Sequence, residues 1–285
     1  MRKSVLIIFA LGAVAFAGDD PVAAFKKAFS SSDENARVAA VNQIASVKTR
    51  SVVKALGSPV AHDPSAAVRK AAAKALGGQY ASNLAAKELA NALHPDDDPA
   101  DVTAAVVAAL GETQSDVAVP VLLSALKTRA RVYRNGGAQA AETVAASGAI
   151  LDALKRAGSA QATNDLVSFL LEEEPPAQVR GKRNQAMAKD PLLKKAQDTL
   201  TALTGEHLTV PEQWSDWWND NKGSLRTVVV MRCEVTGKTY DRLPTGKPCP
   251  HCGSTSCSFA LRTRFENVTA DPAAVATAQT TKKKQ

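Results

Sequence analysis

The chain has 285 residues, of which 45% are hydrophobic and only 5% aromatic, so its core must be built mainly from Ala, Leu and Val. Its 35 Lys and Arg residues outnumber its 28 Asp and Glu residues, which gives a formal net charge of +7. An excess of positive charge favours anionic partners, and nucleic acid is the first to consider. The amino-terminal segment argues against nucleic acid because it predicts export.

Residues 1–17 have the three parts of a secretory signal peptide. Arg2 and Lys3 form a positive region, Val5 to Phe16 an apolar region, and Ala15-Phe16-Ala17 a cleavage site. The apolar region is shorter than the roughly 20 residues that span a bilayer. We therefore expect a mature protein with no membrane span, located in the periplasm or outside the cell. Its expected partner is an anionic protein of the cell envelope, not nucleic acid.

Asp63 to Gly78 is predicted to form one short helix with marked ends. Asp63 is the predicted N-cap, Pro64 suits the first helical position, and Gly77-Gly78 is expected to supply a left-handed terminating residue. Small apolar side chains recur at the spacing of one helical face. They are Val68, Ala71, Ala72, Ala75 and Leu76. Such a face lets a neighbouring helix approach closely.

The pattern recurs along the chain and predicts the fold class. The equivalent positions are Ile44, Leu76, Leu110, Leu154 and Leu203, separated by steps of 32, 34, 44 and 49 residues. Steps of this size with two helices per unit are typical of an α-solenoid. We expect a mainly α protein with about five helix pairs over residues 18–205, followed by a small β module.

The segment from Asp63 through Val68-Arg69 to Leu76-Gly77 resembles the second helix of a bacterial HEAT repeat. The resemblance covers roughly residues 20–205 and concerns the fold, since HEAT repeats serve many functions. Together with the signal peptide, it leads us to expect an exported, non-catalytic scaffold that binds another protein. One copy departs from the pattern, because Thr103 stands where Arg69 stands in the preceding copy. A continuous ladder of Asp–Arg contacts between repeats is therefore not expected at that position.

Two insertions lengthen the later repeats and carry a candidate binding site. Arg131 to Gln139 and Glu174 to Lys189 each separate an outer helix from its inner partner, so solenoid geometry predicts that they lie on the same edge. The alternative is two solvated loops with ordinary surface charge, neutralised in part by Asp96 to Asp98. The residues predicted to bind an anionic partner are Arg131, Tyr133, Arg134, Arg180, Lys182 and Arg183.

Residues 206–224 are predicted to form a helix that closes the solenoid. Trp214, Trp217 and Trp218 share one helical face, and Thr209 and Glu212 have the spacing of a capping box. The aromatic face is expected to cover the last helix pair, as the end of a repeat array must be covered. Binding of carbohydrate or peptide by these rings is the alternative.

Residues 225–266 contain two β-type runs with all four cysteines, Cys233, Cys249, Cys252 and Cys257, between them. Cys249-Pro250-His251-Cys252-Gly253 has the form of a zinc knuckle. The run from Cys233 to Gly237 resembles the other knuckle of a zinc ribbon but has Thr236 in place of its second cysteine. The four cysteines are the predicted ligands of one structural zinc ion. Cys257 or His251 must then replace Thr236, and an incomplete or absent site remains an alternative.

Two other uses of the cysteines stay open. In an exported protein four cysteines can form two disulfides. Cys249-Pro250-His251-Cys252 also matches a thiol–disulfide redox motif, although that chemistry needs Cys249 at a helix N-terminus, which the following residues do not favour. No other arrangement of residues in the sequence is typical of an enzyme. Residues 267–285 are predicted to form a disordered tail.

Overall fold

A computed structural model describes residues 20–79, 82–94, 98–134, 140–172, 190–233, 236, 238–241, 248–253 and 258–266. The predicted signal peptide and tail, and nearly all of the two insertions, lie outside these residues. The described helices are α1 Pro21–Phe29, α2 Glu34–Ile44, α3 Arg50–His62, α4 Ala66–Gly77, α5 Asn83–Asn91, α6 Ala100–Glu112, α7 Ala118–Arg134, α8 Ala140–Ala157, α9 Thr163–Glu172, α10 Pro191–Thr204 and α11 Pro211–Asn221.

The first ten helices form five stacked pairs, which confirms the predicted α-solenoid. The inner helices α2, α4, α6, α8 and α10 pack against one another in that order. The outer helices α1, α3, α5 and α7 form the second layer, and α7 reaches the fifth pair through a 3-10 turn over Ala160–Ala162. One continuous hydrophobic core runs between the layers from Phe25 to Trp214. Among the helices described, none has the length and apolarity required to cross a bilayer.

The helix predicted over Asp63 to Gly78 is present as α4, but its predicted ends are wrong. Ser65 is the N-cap of α4 and accepts a hydrogen bond from the Val68 amide. Asp63 is instead 6% exposed and accepts hydrogen bonds from the Arg37 guanidinium and the Ser65 amide. Gly78 has a right-handed φ of −67° and does not supply a left-handed terminus. The core face is as predicted, since Val68, Ala72, Ala75 and Leu76 are all buried.

Helix α3 continues through Gly57 to His62 and contains Pro59 within the helix. One further predicted boundary needs correction. The N-cap of α11 is Val210, with no side-chain hydrogen bond, so the predicted capping box of Thr209 and Glu212 is wrong. Pro211 at the first helical position marks this start instead.

Two separate series of ion pairs connect successive repeats. Arg37 in α2 contacts Asp63 at 2.9 Å, and Arg69 in α4 contacts Asp98 at 3.4 Å. This ladder stops at Thr103, as expected, and the buried Thr103 hydroxyl has no hydrogen-bond partner in the part of the chain that the structure describes. A second series links the exposed surfaces of the inner helices from α4 to α10. Its pairs are Lys70–Asp101, Glu112–Arg156 and Asp152–Lys195.

The C-terminal module contains a three-stranded antiparallel sheet in the order β2-β1-β3. The strands are β1 Leu225–Arg232, β2 Thr239–Asp241 and β3 Ser258–Phe265. Val230 in β1 pairs with Ala260 in β3, and both are fully buried. The two apolar runs predicted as strands are therefore confirmed, and β2 is an addition that the sequence did not suggest.

Candidate functional site

Three cysteine sulfur atoms meet at one end of the sheet. The Sγ atoms of Cys233, Cys249 and Cys252 all lie within 4.8 Å of one another. Cys233 follows β1 directly, whereas Cys249 and Cys252 belong to a turn between β2 and β3. Cys233 and Cys249 are 0% and 2% exposed, and together with Met231 they form a small core separate from that of the helices.

Backbone amides of both turns point at the sulfur atoms. The Thr236 amide donates to Cys233 Sγ at 3.4 Å, and the His251 amide donates to Cys249 Sγ at the same distance. Gly253 has a left-handed φ of 70°, which allows its amide to donate to the Cys249 carbonyl at 2.8 Å and close the turn. Amide donors of this kind favour the thiolate form of cysteine, which is the form that binds metal.

The arrangement fits a zinc ion in both chemistry and spacing. Zinc–sulfur bonds of about 2.3 Å place the sulfurs of a tetrahedral site roughly 3.8 Å apart, which lies within the observed 4.8 Å limit. Few large apolar side chains are buried among the described residues of the module, and very small domains usually need a metal, a disulfide or a partner surface for stability. Cys233, Cys249 and Cys252 could therefore hold a metal ion.

The identity of a fourth ligand was predicted as Cys257 or His251. Cys257 lies outside the described residues. Thr236 is exposed and its hydroxyl accepts a hydrogen bond from the Lys238 amide, which matches its expected unsuitability as a ligand. His251 is also exposed, and its backbone amide donates a hydrogen bond to Cys249 Sγ.

The alternatives for the cysteines receive no support from the described residues. None of the three described cysteines is joined in a disulfide. Cys249 lies in a turn and is 2% exposed, whereas a redox-active cysteine needs access and a helix N-terminus to lower its pKa.

Strand β3 attaches the cysteine module to the helical array. The carboxylate of Asp116, at the start of the fourth pair, accepts hydrogen bonds from the Thr263 amide at 2.9 Å and the Thr263 hydroxyl at 2.7 Å. Its amide donates to the Leu261 carbonyl at 3.0 Å. Asn83 Oδ1 accepts from the Leu261 amide at 3.3 Å. The outer edge of β3 is thus covered by polar groups of the array, a contact that no sequence pattern indicated.

The tryptophan face has two roles. Trp214 is 0% exposed and belongs to the core of the array, as the predicted capping function requires. Trp217 and Trp218 meet Phe265 of β3 edge-on, with ring centroids 4.9 Å and 6.3 Å apart. The helix therefore closes the array and also supports the sheet.

The predicted basic edge is described only in part. Helix α7 continues through Arg134, so Arg131, Tyr133 and Arg134 belong to a helix and do not begin a loop. Arg131 is exposed, whereas the side chains of Tyr133 and Arg134 are not among those described. Arg180, Lys182 and Arg183 lie outside the described residues. The role of these six residues stays a prediction.

Comparison with known families agrees with the stacked helix pairs. The family profile described as HEAT repeats matches residues 21–102 and again residues 58–142. The matched part of the helical array, within residues 21–142, is therefore similar to HEAT repeats. The matches cover the first three pairs and helix α7 of the fourth, while the last HEAT-like pair and the cysteine module lie beyond them. No curated protein matches the chain significantly.

Proposed function

We propose that the protein is an exported, non-catalytic scaffold that binds another protein through its HEAT array. The observation that carries this proposal is the unbroken stack of five helix pairs, part of which matches HEAT repeats. Stacked repeats present extended surfaces that proteins use for binding, and HEAT repeats typically do not catalyse reactions. Export rests on the signal-peptide pattern of residues 1–17.

The proposed contact surface is the basic edge formed by the two insertions. One insertion precedes α8 and the other precedes α10, and these two inner helices pack side by side. Arg131 is exposed in the last turn of α7, where the first insertion begins. The other arginines of the two insertions, Arg134, Arg180 and Arg183, offer guanidinium groups, which bind carboxylates with two parallel hydrogen bonds. An anionic surface of an envelope protein is the complementary partner.

Capture from an envelope fraction tests this proposal. The mature protein should retain a partner, and a variant with Arg134→Glu and Arg183→Glu should lose it while its far-UV spectrum and melting temperature stay unchanged. The matched control reverses Lys26 and Lys27, two exposed cations at the other end of the array, and should retain the partner. Capture should also weaken with salt, because exposed charges are screened within about 8 Å at physiological ionic strength. Salt-independent capture by the Arg134/Arg183 variant would contradict the proposed surface.

We also propose that the cysteine module holds one structural zinc ion. The observation that favours it is the convergence of three sulfur atoms with amide donors on two of them. Cys233, Cys249 and Cys252 would be three ligands, with Cys257 the proposed fourth. Four protein ligands give a closed structural site, and metal binding would add directly to the stability of the sheet.

Metal analysis of the purified mature protein tests the zinc proposal. We expect one zinc ion per chain by elemental analysis, lost in the Cys249→Ser variant and kept in the Thr236→Ala variant. Replacing zinc by cobalt should produce the visible spectrum of tetrahedral thiolate ligation. A metal-free protein with four alkylatable thiols, or with two disulfides by mass spectrometry, would contradict it.

A further inference from the structure

A pocket of about 350 Å³ lies where the sheet meets the helical array. Its walls come from the end of α8 and the turn after it, from the end of α10, and from β3. The volume falls at the lower end of the range for small-molecule pockets, roughly 300–1,000 Å³. None of its lining residues belongs to the cysteine cluster or to the residues predicted to form the basic edge.

The polar part of the wall is strongly basic. Four cationic side chains line the pocket, Lys155, Arg156, Arg262 and Arg264, together with one carboxylate, that of Asp152. Asp152 is already engaged by Lys195 of α10 at 2.7 Å. Arg156 has an acidic neighbour, Glu112, at the longer distance of 3.4 Å, and both are about half exposed. With four cationic side chains and one carboxylate among its lining residues, the wall carries an excess of positive charge that favours an anion.

The rest of the wall is apolar and fixed in position. Ala160, Ala202, Leu203 and Phe265 supply this surface. Phe265 is held against Trp217, and Thr263, two residues earlier in β3, is bound by Asp116. A pocket whose walls are held by such contacts binds with little loss of conformational entropy.

Arg262 lies at the closest approach of sheet and helices. Its side chain is largely buried, with the residue 5% exposed, and a Cβ added to Gly158 would lie 2.9 Å from Arg262 Nη1. Gly158 itself has a left-handed φ of 64°, so the chain turns there without a side chain in the way. In such a partly desolvated position the attraction between a guanidinium and an anion is stronger than in open water.

We propose that this pocket binds a small organic acid, with an anionic head at the cationic wall and a short apolar body against Ala160, Leu203 and Phe265. Lys155 and Arg264 are the residues best placed to contact the head from opposite elements, since one ends α8 and the other belongs to β3. The proposal does not depend on the scaffold function, and it assigns a ligand to the joint between the two parts of the protein.

Titration of the full mature protein with three probes tests the proposal. Hexanoate has both a carboxylate and an apolar chain, inorganic phosphate has only the charge, and 1-hexanol has only the chain. Saturable shifts of the Gly158, Ala160 and Phe265 amide resonances are expected with hexanoate, and weaker binding with the other two. Equal binding of 1-hexanol would rule out the role of the cations. Equal binding of phosphate would rule out the role of the apolar wall.

A charge-removing variant and a matched control locate the site. Replacing Lys155 and Arg264 by Ala should weaken hexanoate binding about tenfold or more, because charge-assisted hydrogen bonds are lost. Replacing Lys54 in α3 and Arg226 in β1 removes the same charges outside the pocket and should leave binding unchanged. Matching melting temperatures would show that both variants fold. Absence of saturable hexanoate binding, or equal losses in the two variants, would overturn the proposal.

Discussion

At the residue scale, Asp63 shows how a tertiary contact can replace a local one. An Asp before Pro is a strong N-cap signal, yet its carboxylate meets the Arg37 Nε and Nη2 atoms at 2.9 and 3.0 Å. The two parallel hydrogen bonds join adjacent repeats, and Ser65 takes over the cap. Because the side chains of Arg37 and Asp63 are only 12% and 3% exposed, water screens the pair weakly.

We predict that Asp63→Asn lowers the melting temperature clearly. The amide cannot accept both guanidinium bonds, so the enclosed Arg37 charge loses part of its compensation. Asp101→Asn is the control, since it breaks an ion pair with Lys70 whose side chains are 57% and 41% exposed. Such exposed pairs contribute little. Equal melting temperatures for the two variants in calorimetry would contradict the structural role of Asp63.

The contact with Lys70 should alter the acid titration of Asp101. The hydrogen bond from Lys70 lowers the pKa of the Asp101 carboxyl below its usual range. Because the folded pKa is lower than the unfolded one, the pair stabilises the protein above the unfolded pKa and loses this effect as pH falls through the folded pKa. We predict that Lys70→Met raises the Asp101 pKa toward its usual value, measured by NMR titration. An unchanged pKa would show that Lys70 does not make this contact in solution.

At the element scale, the spacing between inner helices depends on glycine. A Cβ added to Gly111 would lie 2.8 Å from Ala153 Cα in the next inner helix, and one added to Gly77 would lie 3.0 Å from Ala109 Cα. The two contacts are equivalent positions in successive repeats. Helices α4 and α6 therefore each approach the next inner helix through a Gly–Ala contact.

We predict that Gly111→Ala destabilises the protein by about 1–3 kcal/mol, because the backbone of α8 must move to admit the methyl group. Gly223→Ala is the matched control, since a Cβ there meets no atom within 4 Å. Denaturant unfolding of both variants provides the comparison. A neutral Gly111→Ala variant would mean that the inner helices are spaced more widely than the structure has them.

Helix α11, which carries the three tryptophans, both closes the helical array and supports the sheet, and two substitutions separate these roles. Trp214→Ala should cost about 3–5 kcal/mol, as for other fully buried large side chains. Trp217→Ala should cost less overall stability, since this ring is only partly buried, but should loosen the contact with Phe265. Denaturant unfolding measures the first effect, and hydrogen exchange of β3 measures the second. The reverse order of stability losses would contradict the assignment.

At the scale of the whole molecule, Asp116 determines how the sheet is attached. Its carboxylate accepts hydrogen bonds from the Thr263 amide, the Thr263 hydroxyl and the Ser159 hydroxyl. We predict that Asp116→Asn increases hydrogen exchange of residues 258–266, because the amide group turns one acceptor into a donor. Asp165→Asn, which removes an exposed pair with Lys127, should leave that exchange unchanged. Unchanged exchange in the Asp116 variant would contradict the attachment.

The sequence predicted the helix pairs and the cysteine cluster because both depend on local spacing. Apolar residues at helical intervals, and the recurrence of Leu76-Gly77 as Leu110-Gly111, can be recognised in the linear sequence alone. The attachment of the sheet was not predictable, since Asp116 and Thr263 are 147 positions apart and neither belongs to a motif. The basic pocket was missed for the same reason: Lys155 and Arg264 are brought together only by tertiary packing.

The central claim, that the basic edge of the helical array binds a protein partner, is tested most directly by hydrogen–deuterium exchange. The mature protein is compared alone and in complex with its captured partner. We predict slower exchange on binding in residues 131–134 and 180–189, with no change in the cysteine module. Protection confined to the inner helices α4 and α6, with the edge unaffected, would contradict the claim.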